Sequence, residues 1–312
     1  MLPTLLSIMN SFNVKSVSQA QQASQSGQYN SRVLHSFCYH WQQQQSFERW
    51  LDYMIFKRQL GYPLSPAHLQ LAQQWRSQNW LQRFKHKLYG HKARQLKNLI
   101  DEVKGNPAHP AVKKPFQQKV AAWRQHEAQH LQQLQQRLSN ANVLVVGNSP
   151  NLAGQAQGAQ IDTNDIVVRF NQYASEHTKK EDTGTKLDVW VMAPGYQGPV
   201  PEQAEFVIVT GPNMLWWQQN WHTLQSHSGK VIGVPLDYWK HCVELLSAPP
   251  SAGFLVVQFL KQLPTKQLSI TGFGVQEGSP YHHAIKGHQA VSRHNWSAES
   301  KIMTEWMRQH RL

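Results

Sequence analysis

Six short apolar runs in the second half of the chain constrain its fold more than any other feature. Segments rich in Gly, Pro, Asn and Asp separate the runs, and several of the runs are unbroken apolar stretches. Such strands are typical of a parallel sheet that is covered on both faces. Helical patterns over 238–246 and 252–263 alternate with them, as in an α/β fold. The predicted strands are Val143–Val146, Ile166–Phe170, Leu187–Met192, Phe206–Thr210, Lys230–Val234 and Leu268–Thr271.

The chain before these runs has a helical character. Apolar residues spaced three and four apart predict one helix from about Phe47 to Gly61 and a long one over 115–138. Two more helices are predicted after Ser65 and around 96–103. The segment 1–30 is rich in Ser and Gln, and we expect it to be flexible. The predicted units are thus a flexible N-terminus (1–30), a basic α-helical region (31–140) and an α/β domain (141–312).

Charge is distributed unevenly along the chain. Residues 1–140 contain 18 Lys and Arg against 5 Asp and Glu, whereas residues 141–312 contain 13 of each. The helical half therefore carries the whole net charge of +13, which indicates an anionic partner such as a membrane surface, an acidic glycan or lipid, or nucleic acid. A solvated helical face is the plain alternative. Because no recognised RNA or DNA motif is present, we do not expect nucleic acid.

The sequence also predicts the compartment. No segment approaches the roughly 20 consecutive apolar residues of a membrane-spanning helix, and the first residues lack a signal-peptide pattern. We therefore expect a cytoplasmic protein, free or held peripherally at the inner membrane. Cys38 and Cys242 fall in different predicted units, so we expect two ordinary thiols rather than a disulfide or a cysteine metal site.

The first strand runs directly into a polar turn, Gly147-Asn148-Ser149-Pro150-Asn151. In open α/β sheets, ligands bind at the carboxyl ends of the strands, where small residues let backbone amides approach a phosphate or ribose. The turn is neither a GxGxxG fingerprint nor a GxxxxGK[ST] loop, so a nucleotide-dependent oxidoreductase or an ATPase is not favoured. Taken alone, the turn is equally compatible with a simple reversal of the chain.

Four blocks in order resemble the motifs of the sialyltransferases, glycosyltransferase family 29. They are NVLVVGNSPNL, DTNDIVVRFNQ and DTGTK within 142–186 (long motif), PSAGFL at 250–255 with ITGFG at 270–274 (small motif), His282-His283 (third motif) and HNWSAE at 294–299 (very short motif). The resemblance covers about residues 142–302 and leaves the N-terminal helices outside. It implies a Rossmann-like catalytic domain of the glycosyltransferase-A type.

The resemblance also implies roles for individual residues. His294 would be the general base for the acceptor hydroxyl, Glu299 would orient it or cap local backbone, and His283 would bind the donor phosphate. The amides of Asn148 and Asn171 would contact the CMP moiety, since each donates and accepts hydrogen bonds. The other residues expected at the donor are Gly147, Ser149, Asn151, Arg169, Ser251, Ala252, Gly253, Gly272, Gly274 and His282.

The implied activity is that of an inverting, CMP-sugar-dependent glycosyltransferase. CMP-sialic acid is the first-choice donor and CMP-Kdo the second, and the acceptor would be a glycan or glycolipid, such as a lipopolysaccharide or capsule precursor. We expect no metal or other cofactor: the chain has no DxD motif, and imidazole and helix amides can stabilise a CMP leaving group without Mg²⁺. The alternative is a non-catalytic protein whose basic helices bind an anionic partner.

Two departures from the family pattern bear on the substrate. Ala284-Ile285-Lys286 stands where members usually have aromatic residues and an acid, so we expect different acceptor contacts. The cysteines that join the long and small motifs in animal enzymes are absent. Both features indicate a bacterial-type member of the family.

Overall fold

A six-stranded sheet forms the centre of the structure, a computed structural model that describes residues 16–63, 67–68, 70–71, 114–194, 196–212, 223–224, 229–274 and 282–310. Every neighbouring pair of strands is parallel. The strands are β1 (Asn142–Val146), β2 (Ile166–Phe170), β3 (Val189–Met192), β4 (Phe206–Val209), β5 (Lys230–Gly233) and β6 (Gln267–Thr271). The predicted α/β fold with a mostly parallel sheet is confirmed, and the strands lie close to their predicted bounds.

The order of the strands creates one change of direction in the sheet. Strands β1 to β5 follow one another towards one edge, and β6 returns to the other side of β1, which gives the order β5-β4-β3-β2-β1-β6. In open α/β sheets, the ligand crevice lies at the carboxyl ends of the strands where the order reverses. The sheet therefore directs the turn after β1 and the turn after β6 to one crevice.

Burial on both faces explains why the strands are unbroken apolar runs. In β1, Val143 and Val145 pack into the main core, whereas Leu144 and Val146 pack into a separate cluster with Leu152. Successive side chains of a strand point to opposite faces, so a strand covered on both sides needs apolar residues at every position.

Nine α-helices have both of their ends within the described residues. Ser16, Asn30 and Ser46 cap the first three through hydrogen bonds from side chain to backbone. The predictions near Phe47 and over 115–138 are confirmed, whereas those after Ser65 and around 96–103 lie largely or wholly outside the described residues. The helices are α1 (Val17–Gln25), α2 (Ser31–Gln43), α3 (Phe47–Gln59), α4 (Lys114–Leu138), α5 (Gly158–Asp162), α6 (Lys180–Thr183), α7 (Leu236–Leu246), α8 (Ala252–Leu260) and α9 (Trp296–His310).

Helix α1 lies within the segment 1–30 that we expected to be flexible, and residues 1–15 of that segment lie outside the described residues. Ser16 and Gln19 form a capping box at its start, and Ala20 is fully buried. The helix buries few large apolar residues, so its stability comes from docking rather than from its own hydrophobic pattern. The proposed unit boundaries at residues 30 and 140 stay predictions.

The first three helices share a hydrophobic core with the end of the chain. Phe37 and Phe56 belong to the same cluster of buried residues as Phe254 of α8 and Trp306 of α9. Trp239 of α7 donates its indole N–H to the carbonyl oxygen of Gln59 at 2.6 Å. Within the described residues, no helix is both long enough and apolar enough to cross a bilayer.

Candidate active site

A cavity of about 420 Å³ opens at the carboxyl ends of the central strands. It lies where the strand order reverses, between the turns that follow β1 and β6. The motif blocks are far apart in the sequence, and the fold brings them together. The residues predicted from the sequence that line the cavity are Gly147, Asn148, Ser149, Asn171, Ser251, Ala252, Gly253, Gly272, His282 and His294.

The turns after β1 and β6 form a close-packed floor. The Gly147 N–H donates to the carbonyl of Thr271 at 2.8 Å, and the Ser149 N–H donates to that of Gly272 at 2.9 Å. A Cβ atom on Gly272 would lie 2.6 Å from the carbonyl oxygen of Gly147, and one on Gly147 would clash with the carbonyl of Gly272. Both positions need glycine because the two backbones touch.

Asn148 uses one end of its amide within the protein and leaves the other end open. Its Nδ2 donates to the carbonyl of Phe170 at 3.0 Å and lies 2.9 Å from Nε2 of His282. Burial and the nearby rings of His283 and His288 lower the pKa of His282 to about 4, so its ring is neutral at neutral pH. Nδ1 of His282 also lies 3.2 Å from the backbone nitrogen of Ala284. Because a neutral ring has only one acceptor nitrogen, His282 accepts from either Asn148 or Ala284 at a time. Oδ1 of Asn148 is buried and has no partner among the described residues, which leaves it to accept from a ligand.

Asn171 shapes the opposite wall of the cavity. Its backbone is left-handed, with φ of 46°, a conformation that Asn adopts more readily than most residues. Its Oδ1 accepts from the Ala193 N–H at 2.8 Å, and its carbonyl accepts from the Trp190 indole at 2.9 Å. No described residue accepts from its amide nitrogen, so that donor is available at the cavity.

The N-terminus of α8 lies at the cavity. Ser251 caps this helix by accepting from the Phe254 N–H at 3.2 Å, and Ala252 and Gly253 line the cavity beside it. The first amides of a helix have no partner within the helix, and the helix dipole favours negative charge there. This end of the cavity therefore suits a phosphate.

His294 has the geometry of a neutral base. Its Nδ1 lies 2.7 Å from the carbonyl oxygen of Pro249, which requires a proton on Nδ1 and leaves Nε2 as the basic nitrogen. Burial lowers its pKa to about 4; the bond to Pro249 opposes this effect, and the positive charge of Arg293 adds to it. At neutral pH the ring is uncharged, so Nε2 can take a proton.

Glu299 takes the second of its two expected roles, that of a backbone cap. Its Oε1 accepts from the Ser251 N–H at 2.7 Å, and its Oε2 accepts from the Ser251 hydroxyl at 2.6 Å. Burial raises its pKa to about 7, and the two bonds from Ser251 oppose that shift. The carboxyl group makes no hydrogen bond to His294 and does not line the cavity, so Glu299 fixes the start of α8 without contacting His294.

His283 does not occupy the position that the resemblance implied. Its backbone N–H donates to the carbonyl of Asn148 at 2.8 Å, but its side chain is absent from the cavity wall. Both ring nitrogens are buried without a partner among the described residues, and burial together with the charge of Arg169 lowers its pKa to about 4. The histidines that face the cavity beside it are His282 and His288.

Arg169, Asn151 and Gly274 do not belong to the cavity lining. The Arg169 guanidinium is 1% exposed, and it donates to the carbonyls of Thr183 at 2.6 Å and Lys186 at 2.8 Å. Asn151 donates to the carbonyl of Phe273 at 2.9 Å, and the Gly274 carbonyl accepts from the Ser149 hydroxyl at 3.3 Å. Asn151 and Gly274 thus link the turns that follow β1 and β6, whereas Arg169 holds the segment 183–186.

Sequence reasoning missed several residues of the cavity wall. Arg293 and Trp296 flank His294 in the very short motif, and His288 follows the histidine pair closely, so proximity to a motif was the available signal. Tyr196 belongs to no motif. The lining contains no Asp or Glu among the described residues, which suits an anionic ligand. The described residues contain no group of three or more His, Cys, Asp or Glu side chains placed to hold a metal.

Comparison with known proteins adds one match at the level of the family. The model of glycosyltransferase family 29 (sialyltransferase) matches residues 73–231, just over half of the 312 residues. The match begins earlier than the resemblance we inferred, within the helical half, and it ends before the small motif. The roles of residues in the last three blocks therefore rest on the motif residues themselves. No curated protein sequence matches the chain.

Among solved structures, two of a mammalian sialyltransferase resemble this chain at a TM-score of 0.45 and 18% identity, covering 65% of it. One is a complex with Gal-beta-1-3GalNAc-ortho-nitrophenol, and the alignments cover 85% and 84% of the two chains. The sialyltransferase CstII from Campylobacter jejuni, in complex with the substrate analogue CMP-3FNeuAc, is similar at a TM-score of 0.39 and 12% identity, over 55% of this chain and 80% of that one.

Proposed function

This chain belongs to glycosyltransferase family 29, the sialyltransferases, and on that premise we propose that it transfers sialic acid from a CMP-activated donor to a glycan hydroxyl with inversion. His294 is the general base. The observation that carries this proposal is the geometry of His294: its Nδ1 is tied to the Pro249 carbonyl at 2.7 Å, in the wall of a cavity at the switch point of the sheet.

The cavity offers groups that match each part of the donor. The open Oδ1 of Asn148 and the amide nitrogen of Asn171 suit the cytosine edge or the ribose, because these parts present both donors and acceptors. The first amides of α8 suit the single phosphate. The absence of carboxylates from the described lining avoids repulsion of a donor that carries a phosphate and a sugar carboxylate.

The reaction is a displacement at the anomeric carbon of the sugar. The acceptor oxygen forms a bond to that carbon from one face while the bond to the phosphate oxygen breaks on the other, and CMP leaves with the electron pair. Nε2 of His294 takes the proton of the acceptor hydroxyl. A bound phosphate would raise the pKa of His294 from its low value, since a nearby negative charge favours the protonated ring.

Metal independence is part of the proposal. The leaving phosphate carries little charge compared with a diphosphate, and helix amides with histidine hydrogen bonds can stabilise it as it departs. EDTA should then leave the rate unchanged.

The first experiment measures CMP release from CMP-sialic acid and from CMP-Kdo, with and without EDTA, by the wild-type protein and by His294→Ala. We expect release from CMP-sialic acid, and a loss of about 10²- to 10⁴-fold in the variant because the base is removed. His177→Ala is the control, because this exposed histidine is 57% accessible and lies outside the cavity lining.

Release from CMP-Kdo instead would change the donor and keep the mechanism, and CMP-Kdo is the second candidate because it is also an acidic ketose on the same nucleotide. Release from neither donor, together with no binding of CMP by calorimetry, would overturn the proposed transferase activity. The alternative of a non-catalytic binding protein would then remain.

We further propose that the basic half, with the +13 net charge of residues 1–140, holds the protein peripherally on the anionic cytoplasmic face of a membrane, near a glycolipid acceptor. Each Lys or Arg close to such a surface contributes about 1 kcal/mol. Flotation with liposomes that contain anionic lipid should recover the protein at low salt and lose it as salt rises. No flotation at any salt, or a salt-dependent mobility shift with generic RNA instead, would contradict membrane binding.

A further inference from the structure

The residues around the base are held by one segment, residues 246–251, which joins α7 to α8 and which we call the anchor segment. The carbonyl of Pro249 accepts from His294 at 2.7 Å, and the carbonyl of Leu246 accepts from the Asn295 side chain at 3.1 Å. Glu299 binds Ser251 from the same motif. The position of the base therefore depends on the position of the anchor segment.

The turn between α1 and α2, residues 26–29, contacts both the anchor segment and the backbone next to the base. In this N-terminal turn, the Tyr29 N–H donates to the carbonyl of Ser247 at 3.0 Å. Gly27 has φ of +85°, and a Cβ atom there would clash with the carbonyl oxygen of Arg293 and lie 2.8 Å from its carbonyl carbon. Arg293 directly precedes His294.

The N-terminal turn is itself fixed by packing. Tyr29 is 7% exposed, and its ring meets that of Phe56 edge to face with centroids 5.5 Å apart. The ring anchors the turn to α3, while the backbone of the turn contacts the residues around the base. The first helices thus supply a rigid support rather than a loose cover.

We propose that the N-terminal turn is a positioning element for catalysis, in which Gly27 sets how closely the backbone of Arg293 can approach and Tyr29 fixes the anchor segment through Ser247. The proposal rests on the proposed role of His294 as the base. Neither Gly27 nor Tyr29 lines the cavity, so both act through other residues. A small displacement of a catalytic group by a distant substitution can cost about a hundredfold in rate.

Gly27→Ala tests the proposal, and Gly61→Ala is its matched control. Gly61 has φ of +87°, and a Cβ atom there would lie 2.5 Å from Cβ of Lys240, so this variant strains the same backbone conformation and disturbs the docking of the same helices at α7, away from the base. Both variants should lower the melting temperature. Only Gly27→Ala should lower kcat, by about a hundredfold.

Two further measurements separate positioning from a general loss of structure. The affinity for CMP, by calorimetry, should fall by less than kcat in Gly27→Ala, because Asn148 and Asn171, which are expected at the cytosine or the ribose, lie on other turns and only the contacts at the start of α8 adjoin the anchor segment. The acidic limb of the kcat/KM profile should move upwards in pH, because a displaced His294 is less buried and its pKa rises from about 4 towards the usual histidine value.

The experiments test the positioning role separately from the assignment of His294 as the base. Full activity in His294→Ala would overturn the assignment of His294 as the base, and the positioning role would be overturned with it. An inactive His294→Ala together with a folded Gly27→Ala whose kcat stays within about threefold of wild type would overturn the positioning role alone. A loss of kcat in Gly61→Ala as large as the loss in Gly27→Ala would also overturn the positioning role.

Should Gly27→Ala fail to fold, Tyr29→Leu replaces it. This change removes the ring that packs on Phe56 but keeps the backbone N–H that binds Ser247. We expect a smaller loss of kcat, about tenfold, with a smaller change in the affinity for CMP than in kcat. A wild-type kcat in this variant, measured alongside an inactive His294→Ala, would overturn the proposal.

Discussion

Single atoms decide what the cavity can bind. Asn148 shows this most directly, since its Nδ2 is used by Phe170 and His282 and its Oδ1 has no partner among the described residues. A ligand that reaches Asn148 must therefore donate a hydrogen bond to it. His294 is fixed in the same way, because the Pro249 carbonyl determines which ring nitrogen carries the proton.

Asn148→Asp should weaken CMP binding. The change replaces a donor by an oxygen that faces the carbonyl oxygen of Phe170, so this hydrogen bond is lost and two acceptors oppose each other, at a cost of about 1–3 kcal/mol. Calorimetry should show an affinity roughly tenfold to a hundredfold lower. Asn140→Asp is the control, because Asn140 is exposed and lies outside the lining. Equal affinity in Asn148→Asp and wild type would remove Asn148 from the binding site.

The sequence alone could not determine which side chains of the motifs face the cavity. His282 and His283 are adjacent and identical in type, so the motif could not tell which ring would face the cavity; the backbone bond from His283 to the Asn148 carbonyl decides it. Arg169 was expected at the donor because it precedes Asn171 in a motif. Its side chain instead serves carbonyls of Thr183 and Lys186, contacts that connect segments which only the fold brings together.

Between elements, the link from α9 to α8 matters most for the site. Glu299 of α9 is 4% exposed and binds both the backbone and the hydroxyl of Ser251 at the start of α8. One buried carboxyl group therefore joins the start of α8 to the motif that contains His294, and its protonation affects the stability of both.

Glu299→Gln should change how stability depends on pH. Burial raises the folded-state pKa of Glu299 to about 7, so the folded state binds the extra proton, and its stabilising effect, full at acidic pH, is lost as pH rises from about 4.5 through 7. A glutamine has no such loss. Relative to wild type, the variant should therefore gain about 3 kcal/mol in free energy of unfolding between pH 5 and pH 8.

Denaturant unfolding of both proteins at the two pH values measures this gain, and the contributions of the buried histidines cancel in the difference. Glu305→Gln is the matched control on the same helix, because its side chain is 50% exposed. Parallel pH curves for wild type and Glu299→Gln would show that the carboxyl group is not held in this environment.

Elements differed in how well they could be predicted, for a physical reason. The strands carry their own signal, because burial on both faces requires apolar residues throughout, as in Val143–Val146. Helix α1 carries little signal of its own in the sequence, because its stability depends on docking Ala20 into a core built from distant residues. Composition alone therefore indicated a flexible segment. Tertiary contacts override weak local propensity in such cases.

Across the whole molecule, the fold joins ends of the chain that the sequence had suggested were separate. The α/β class and the position of the cavity followed from the strand pattern and from the polar turn after β1, because ligands of such sheets lie at the carboxyl ends of strands. The contribution of the N-terminal helices to the site did not follow, since neither Gly27 nor Tyr29 belongs to a motif. Their role depends on contacts with Arg293 and Ser247, which lie near the other end of the chain.

The core shared by the two ends of the chain also sets the order in which the protein can be completed on the ribosome. Tyr29 and Phe56 leave the exit tunnel early, yet their partners around Ser247 and Trp306 are made only late in synthesis. At about 5–20 residues per second, the delay is roughly 10–50 seconds. During that time the apolar faces of the first helices stay uncovered, so we expect the nascent chain to bind chaperones until the segments that contain Ser247 and Trp306 have been made.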